Sequence, residues 1–308
     1  MPKTSTELFR HSLNGPTMGT RWSVVVYTPR GFDLAALRAA LQSAVDEVDA
    51  QMSTWKPDSD LMRLNAAPVA EWVALPEPLM TVLATALDLG RASGGAFEIA
   101  MGDAVRAWGF GPLPADARAI AAAMARQRQP SHLTLELDQA GGRARKHVEM
   151  TLDLCGIAKG HGVDRLIEVV QARGLAHALA SIDGEVRALG GQPDGRGWSV
   201  ALERPDPAAR AIHSMFEVRD IAIATSGDYR HWVNLGGRRL SHTMDPARGA
   251  PLIGGPASVT VLAGRCIEAD ALASACMVLG EAQGRALAAR RGAEVVYLTE
   301  DDRRGPPA

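Results

Sequence analysis

The chain has 308 residues, room for one large domain or two ordinary ones. Its 33 Lys and Arg against 35 Asp and Glu leave a formal charge of −2, which argues against a protein that coats nucleic acid or binds membranes through a basic surface. Hydrophobic residues at 46% and charged residues at 22% are globular rather than disordered proportions, and aromatics at 5% leave the core to Leu, Val, Ile and Ala.

The first strand is expected from Trp22 to Tyr27, where β-branched residues concentrate. Asp33 can cap a following helix whose stripe is Leu34, Leu37, Leu41, Val45, Val48 and Met52. A second helix over 78–92 buries Leu79, Val82, Leu83, Ala86 and Leu87 and stops at Gly94-Gly95. An Ala-rich helix over 115–128 ends before Pro130. Leu133, Leu135 and Leu137 alternate as in a half-exposed strand, with a partner near 147–153 beyond the Gly141-Gly142 turn. A helix over 159–173 stops at Gly174. Short strands are predicted at 178–182, 186–189, 198–202, 215–218, 220–224 and 258–262, then helices at 268–279 and 281–290 and a strand at 295–298. The pattern predicts one α+β unit over 15–300 with mixed or antiparallel sheets and packed helices, a possible helical lobe at 33–128, and tails at 1–14 and 301–308.

Cys155, Cys266 and Cys276 form no CxxC pair, so neither a disulfide framework nor a thiolate zinc site is expected; buried thiols are. No apolar run approaches the ~18 residues of a membrane span. The N-terminus carries no leader-like apolar segment and no lipid-anchor cysteine, so the expectation is a cytoplasmic chain, or a periplasmic one if a leader has been removed.

Three segments carry chemistry. Asp153 to Gly160 runs a strand into a small-residue turn that opens a helix, and Lys159 adds charge where free N–H groups could meet an anion; the P-loop pattern is absent. His242 lies between a strand-like stretch and the Asp245-Pro246 turn, where an imidazole could act as a base or be merely structural. Asp270 and Ser274, four apart on one helix face among small residues, offer a carboxylate and a hydroxyl that suit Mg²⁺, or only a solvated acid and its neighbour. Trp55, Phe97 and Trp108 are aromatics for stacking or for the core.

In order, Met18-Gly19-Thr20, Met52-Ser53-Thr54-Trp55 with Ser59 and Arg63-Leu64-Asn65, Gly95-Ala96-Phe97, Trp108 to Gly111, Asp153 with Gly156 to Gly160, Thr225 to Tyr229, Ser241-His242 with Asp245-Pro246, and Ala269 to Leu272 resemble the ApbE family of flavin transferases. The resemblance covers about Gly15 to Leu298. It implies Mg²⁺-dependent transfer of the FMN moiety of FAD to a Ser or Thr hydroxyl of a target protein, with AMP leaving. It also implies that Met18, Trp55, Ala96, Phe97, Glu98, Asp153, Lys159 and Thr243 contact FAD. The Gly156 carbonyl, Asp270 and Ser274 would hold the metal, and His242 would serve as base, so that His242 and Asp270 carry the catalysis. Ser274 stands where the family commonly has Thr, Glu98 where it has Asp, Ala100 where Thr is common, and Asp183 where Gly is frequent. An extra carboxylate beside a pyrophosphate would repel it, so Asp183 is expected to point away. Two rivals remain: an Mg²⁺-dependent FAD pyrophosphatase giving FMN and AMP, and a flavin-binding protein without turnover, which would need neither base nor metal.

Overall fold

The computed structural model describes residues 7–206, 211–227, 232–235, 238–299 and 301–303. The chain opens with β1 (Leu8–Thr17) and β2 (Thr20–Pro29), paired antiparallel over their whole length. Helices α1 (Leu34–Met52) and α2 (Asp60–Ala66) follow, each started by the expected kind of side chain: Asp33 accepts Ala36 N–H and Ser59 accepts Met62 N–H. Next come β3 (Val73–Ala74), α3 (Glu77–Ala92), α4 (Gly102–Ala107), α5 (Ala117–Ala125), the single turn α6 (Ser131–Thr134), β4 (Leu135–Asp138) and β5 (Arg143–Lys146). Then come α7 (Ala158–Gln171), β6 (Ala178–Ile182), β7 (Glu185–Leu189), β8 (Trp198–Glu203), β9 (Ile212–Val218) and β10 (Ala222–Gly227). Two small hairpins, β11 (Trp232–Leu235) with β12 (Arg238–Ser241) and β13 (Met244–Asp245) with β14 (Ala250–Pro251), lead to β15 (Ser258–Ala263), α8 (Cys266–Arg290) and β16 (Glu294–Leu298).

Seven strands form the central sheet in the order β1-β2-β6-β7-β10-β15-β16, every neighbouring pair antiparallel. Strand alternation assigns its two faces. Trp22, Val24, Val26, Ala180, Ile182, Ala224, Val259 and Val261 point to one side, where α7 lies between α1 and α8 and the main core is buried. Val25, Tyr27, Leu179, Ile223 and Leu262 point to the other and meet Trp198, Val218 and Phe216 of the β8–β9 hairpin.

Helices α7 and α8 cap each other. The N–H of Gly160, one of the unsatisfied donors of the first turn of α7, reaches the Asp270 carboxylate at 2.9 Å. In return Asp164 of α7, fully buried, accepts the N–H groups of Cys266 and Ile267 at 2.9 and 3.0 Å and takes Arg187 at 2.6 Å. The approach needs glycine: a Cβ on Gly160 would sit 2.3 Å from the Cys266 carbonyl oxygen and 2.7 Å from Asp270 Cβ.

Several boundaries differ from expectation. The segment expected as a tail at 1–14 holds most of β1, an edge strand whose signal is weak because Arg10, Ser12 and Asn14 face solvent and only Phe9 and Leu13 are strongly apolar on the inner side. The partner of β4 is Arg143–Lys146 rather than 147–153: the segment reads as polar, yet Ala144 and the aliphatic stem of Lys146 turn inward. Leu133 belongs to the turn α6, on its exposed side, so only Leu135 and Leu137 alternate as strand. The predicted helices 268–279 and 281–290 hold: α8 begins two residues earlier, at Cys266, and breaks at Gly280, whose φ of 72° and ψ of 177° no helix accommodates. Residues 33–128 are not a separate lobe, since α1 and α3 share the main core with the sheet; α4 and α5 form a satellite cluster with Met244. Cys266 and Cys276 are buried as expected, but Cys155 is exposed.

Candidate active site

At one end of the sheet two hairpin turns lie side by side. In the β1–β2 turn Met18 and Gly19 both have positive φ, 43° and 71°; in the β6–β7 turn so do Asp183 and Gly184, 50° and 109°. Pairing of Trp22 with Ile182 sets the turns next to each other, and Thr20 Oγ1 lies 3.5 Å from Asp183 Oδ1. The C-terminal ends of α1 and β10, the N-terminus of α7 and the first half of α8 meet at the same end, around a cavity of about 760 Å³. That volume is within the range that holds a large cofactor or substrate.

Each residue singled out from the sequence as catalytic, FAD-contacting or metal-holding lines this cavity: Met18, Trp55, Ala96, Phe97, Glu98, Asp153, Gly156, Lys159, His242, Thr243, Asp270 and Ser274. Their local reasons differ. Trp55, 62% exposed, stands on a loop pinned by Ser53 Oγ, which accepts Trp55 N–H, and by Ser59 Oγ, which donates to the Ser53 carbonyl. Phe97 is buried, its N–H bound to Ser93 Oγ. Glu98 acts chiefly as a staple, since its two oxygens accept the N–H groups of Ala100 at 2.7 Å and Ser131 at 2.9 Å. Asn65 is also scaffolding: its amide pairs with both N–H and C=O of Leu152, as a strand neighbour would, and so fixes the run into Asp153. Trp108, a stacking candidate, instead donates its indole N–H to the Gly249 carbonyl and braces the turn after Met244.

The oxygen cluster is compact. A Cβ on Gly156 would lie 3.0 Å from Ser274 Oγ, so the turn backbone approaches the helix hydroxyl closely, and Ser226 Oγ stands 3.3 Å from the same hydroxyl. Asp270 is 4% exposed; burial pushes its carboxyl above the usual range, opposed by Lys159 and by the Gly160 N–H. Among the described residues no three of His, Cys, Asp or Glu gather as a metal-binding group. The oxygens that the resemblance assigns to the metal, one carboxylate, a hydroxyl and a backbone carbonyl, are all hard donors, a set that suits Mg²⁺ and suits zinc poorly.

Lys159 Nζ lies 3.0 Å from Glu185 Oε1 and 3.4 Å from Asp183 Oδ2. Burial disfavours its charge, but Glu185, Asp270 and Asp183 outweigh burial and raise its pKa. Asp183 therefore does not point away from the cavity: it lines it and faces an ammonium, because the Asp-Gly dipeptide makes the tight turn that aims it there. Glu185 was absent from the sequence-based set; it lines the cavity at 3% exposure, where burial pushes its carboxyl upward while Lys159 at 3.0 Å opposes the rise by favouring the charged form. An Asp-Gly turn between two short apolar strands was the available signal, since it predicts that the residue after the turn returns to the sheet end. Burial also raises Asp153, whose Oδ1 accepts Cys155 N–H, and the Asp153 charge raises the Cys155 thiol.

His242 lines the same cavity half-buried, on the stretch between β12 and β13. Thr243 is held at both ends, its N–H on Ser241 Oγ and its carbonyl accepting Leu252 N–H. Asp245 caps its own turn by accepting Ala247 N–H. Asp228 and Tyr229 of the Thr225–Tyr229 motif lie outside the described residues.

The model of the ApbE family matches residues 18–297. An FAD:protein FMN transferase of Vibrio cholerae serotype O1 is 36% identical over 94% of this chain and 87% of its own length, and one of Klebsiella pneumoniae is 34% identical over 94% and 84%. The solved flavin transferase ApbE from Vibrio cholerae superposes with a TM-score of 0.84 at 34% identity, covering 96% of each chain. With the family model spanning nearly the whole chain and these relatives well above 30% identity, this chain belongs to the ApbE family.

Proposed function

We infer that the protein transfers the FMN moiety of FAD to a Ser or Thr hydroxyl of a target protein. The observation that carries this reading is that one cavity is lined by Gly156, Asp270 and Ser274, by His242 and by the aromatic residues Trp55 and Phe97. A pure binding site would need the aromatics and not the rest. Asp270, Ser274 and the Gly156 carbonyl would hold Mg²⁺, which when bound supplies Lewis-acid neutralisation of pyrophosphate charge. Met18, Trp55, Phe97 and Thr243 border the space for a planar ring, and Lys159 adds positive charge at the turn that opens α7.

In the reaction the acceptor oxygen forms a bond to the FMN phosphorus, the P–O bond to AMP breaks, and AMP leaves with the bridging oxygen. The hydroxyl proton goes to His242, which accepts it only as the neutral imidazole. Depth favours transfer: burial at Asp270 and Glu185 limits the water that could compete with the acceptor hydroxyl. The test is incubation with FAD, Mg²⁺ and an acceptor protein, read by in-gel flavin fluorescence and by free AMP. A fluorescent acceptor band with matching AMP supports transfer. FMN and AMP without a band would make the protein a pyrophosphatase, and neither product would leave it a binding protein.

A further inference from the structure

The ammonium of Lys159 is bounded by three carboxylates. Two of them, Glu185 and Asp183, touch it at 3.0 and 3.4 Å; the third, Asp270, acts on it electrostatically without a hydrogen bond to it. Residue 159 is also next to the backbone N–H that Asp270 does bind, at Gly160. A flexible four-carbon stem anchored there can carry its charge toward either Asp270 or the β6–β7 turn, and in the structure it goes to the turn. Glu185 is what holds it: its carboxylate is 3% exposed, so its pairing with Lys159 is shielded from solvent, whereas Asp183 sits at the exposed tip of the turn. Glu185 Oε2, moreover, is buried and has no partner among the described residues. A buried carboxylate that reaches the cavity with one oxygen unsatisfied is expensive unless it serves the charges beside it.

We propose that Glu185 is a positioning residue for the cation site: it keeps the Lys159 ammonium at the β6–β7 turn and so prevents it from occupying the place of the divalent cation at Asp270. Lys159 is in this sense a built-in competitor of Mg²⁺, held off by Glu185 with help from Asp183. The inference deepens the proposed function and rests on its assignment of Gly156, Asp270 and Ser274 to the cation.

The experiment is calorimetric titration of Mg²⁺ alone into the FAD-free protein, with thermal unfolding of each variant as a check on folding. Glu185→Gln preserves shape and removes the anchor; Mg²⁺ affinity should fall by about 10–100-fold, the range seen when groups behind metal ligands are lost. In a Lys159→Met background the same Glu185→Gln change should leave affinity unaltered, because the competitor is gone. Asp183→Asn keeps a favoured Asn-Gly turn and should lower affinity in the same direction by less, which tests the idea even if Glu185→Gln folds poorly. Unchanged affinity in both Glu185→Gln and Asp183→Asn overturns the proposal, and so does a Glu185→Gln loss that persists undiminished with Lys159→Met, which would place Glu185 on the cation directly. A wild-type protein that binds no Mg²⁺ would overturn the cation assignment itself, a result distinct from either.

Discussion

Replacing Gly160 by alanine sets two physical rules against each other. Helix propensity alone favours the change by about 1 kcal/mol, since glycine inside a helix gives up more backbone freedom than alanine. The structure argues the opposite. The new methyl would lie 2.3 Å from the Cys266 carbonyl and 2.7 Å from Asp270 Cβ, both on the neighbouring helix and neither the loose end of a flexible side chain. Separating α7 from α8 enough to admit it costs about 1–3 kcal/mol as overpacking. The same separation strains the bond from Gly160 N–H to the buried Asp270 carboxylate, a charge-assisted contact worth about 1.5–3 kcal/mol. The losses exceed the helix gain, so Gly160→Ala should be less stable by roughly 2–5 kcal/mol. It should also bind Mg²⁺ more weakly, because Asp270 and Ser274 shift together relative to Gly156. Urea unfolding gives the first quantity and calorimetric Mg²⁺ titration the second. A Gly160→Ala protein as stable as the parent or more so would refute the claim that this contact fixes the two helices.

The other predictions concern charge and proton transfer. Asp270→Asn should retain the fold, since an amide oxygen can still accept Gly160 N–H, and lose measurable Mg²⁺ binding by calorimetry. His242→Ala should keep Mg²⁺ and FAD affinity while transfer in a single turnover slows by about 10²–10⁴-fold; equal rates would reduce His242 to a contact residue. His161 is 3% exposed, and burial followed by the charges of Arg165 and Arg265 lowers its pKa to about 4 from 6.5. The unfolded chain then binds the proton more readily, so this contribution to stability is complete above pH 6.5 and is lost as the pH falls toward 4. The loss reaches at most about 3 kcal/mol, and unfolding of His161→Leu should show a shallower decline over that interval.

The strands and helices that the sequence announces most clearly are those where one face alone is apolar. The α1 stripe from Leu37 to Met52 is the example, because period and burial coincide there, whereas β2 was legible as a β-branched run covered on both faces. Edge elements were harder to read. In β1 the outward residues are polar and the inward ones include His11 and Gly15, and glycine is required at the latter because a Cβ would meet Gln42 at 2.3 Å and Trp22 at 2.6 Å. Trp22 faces Gly15 across the hairpin, but nothing local announces the Gln42 contact, which exists only once α1 crosses the hairpin. The same holds for β5, which is charged along its length and is specified by its neighbours β3 and β4.

The site divides along a similar line. Asp270 with Ser274, and Asp153 with Gly156 and Lys159, stood out through the order of motifs in the resemblance, and the structure gathers them around one cavity. What the sequence hid was the direction of each charge. Glu98 lines the cavity while its two oxygens also staple backbone N–H groups, and Asp183, expected to point away, faces Lys159. Met18 shows why such positions depart from local rules. A two-residue turn with positive φ at both positions favours Asn-Gly or Asp-Gly, and the β6–β7 turn uses Asp-Gly, yet the adjacent β1–β2 turn places methionine at φ 43°. Asparagine would relieve a strain of about 1–3 kcal/mol and leave a short polar side chain there. Methionine instead extends into the cavity wall, to 3.1 Å from the point a Cβ on Gly162 would take, so glycine at 162 is what admits it. The strained turn, the missing Cβ on α7 and the flexible thioether compensate one another. That combination makes sense for a surface that must receive a ligand, and it would be a defect in a turn that only joined two strands.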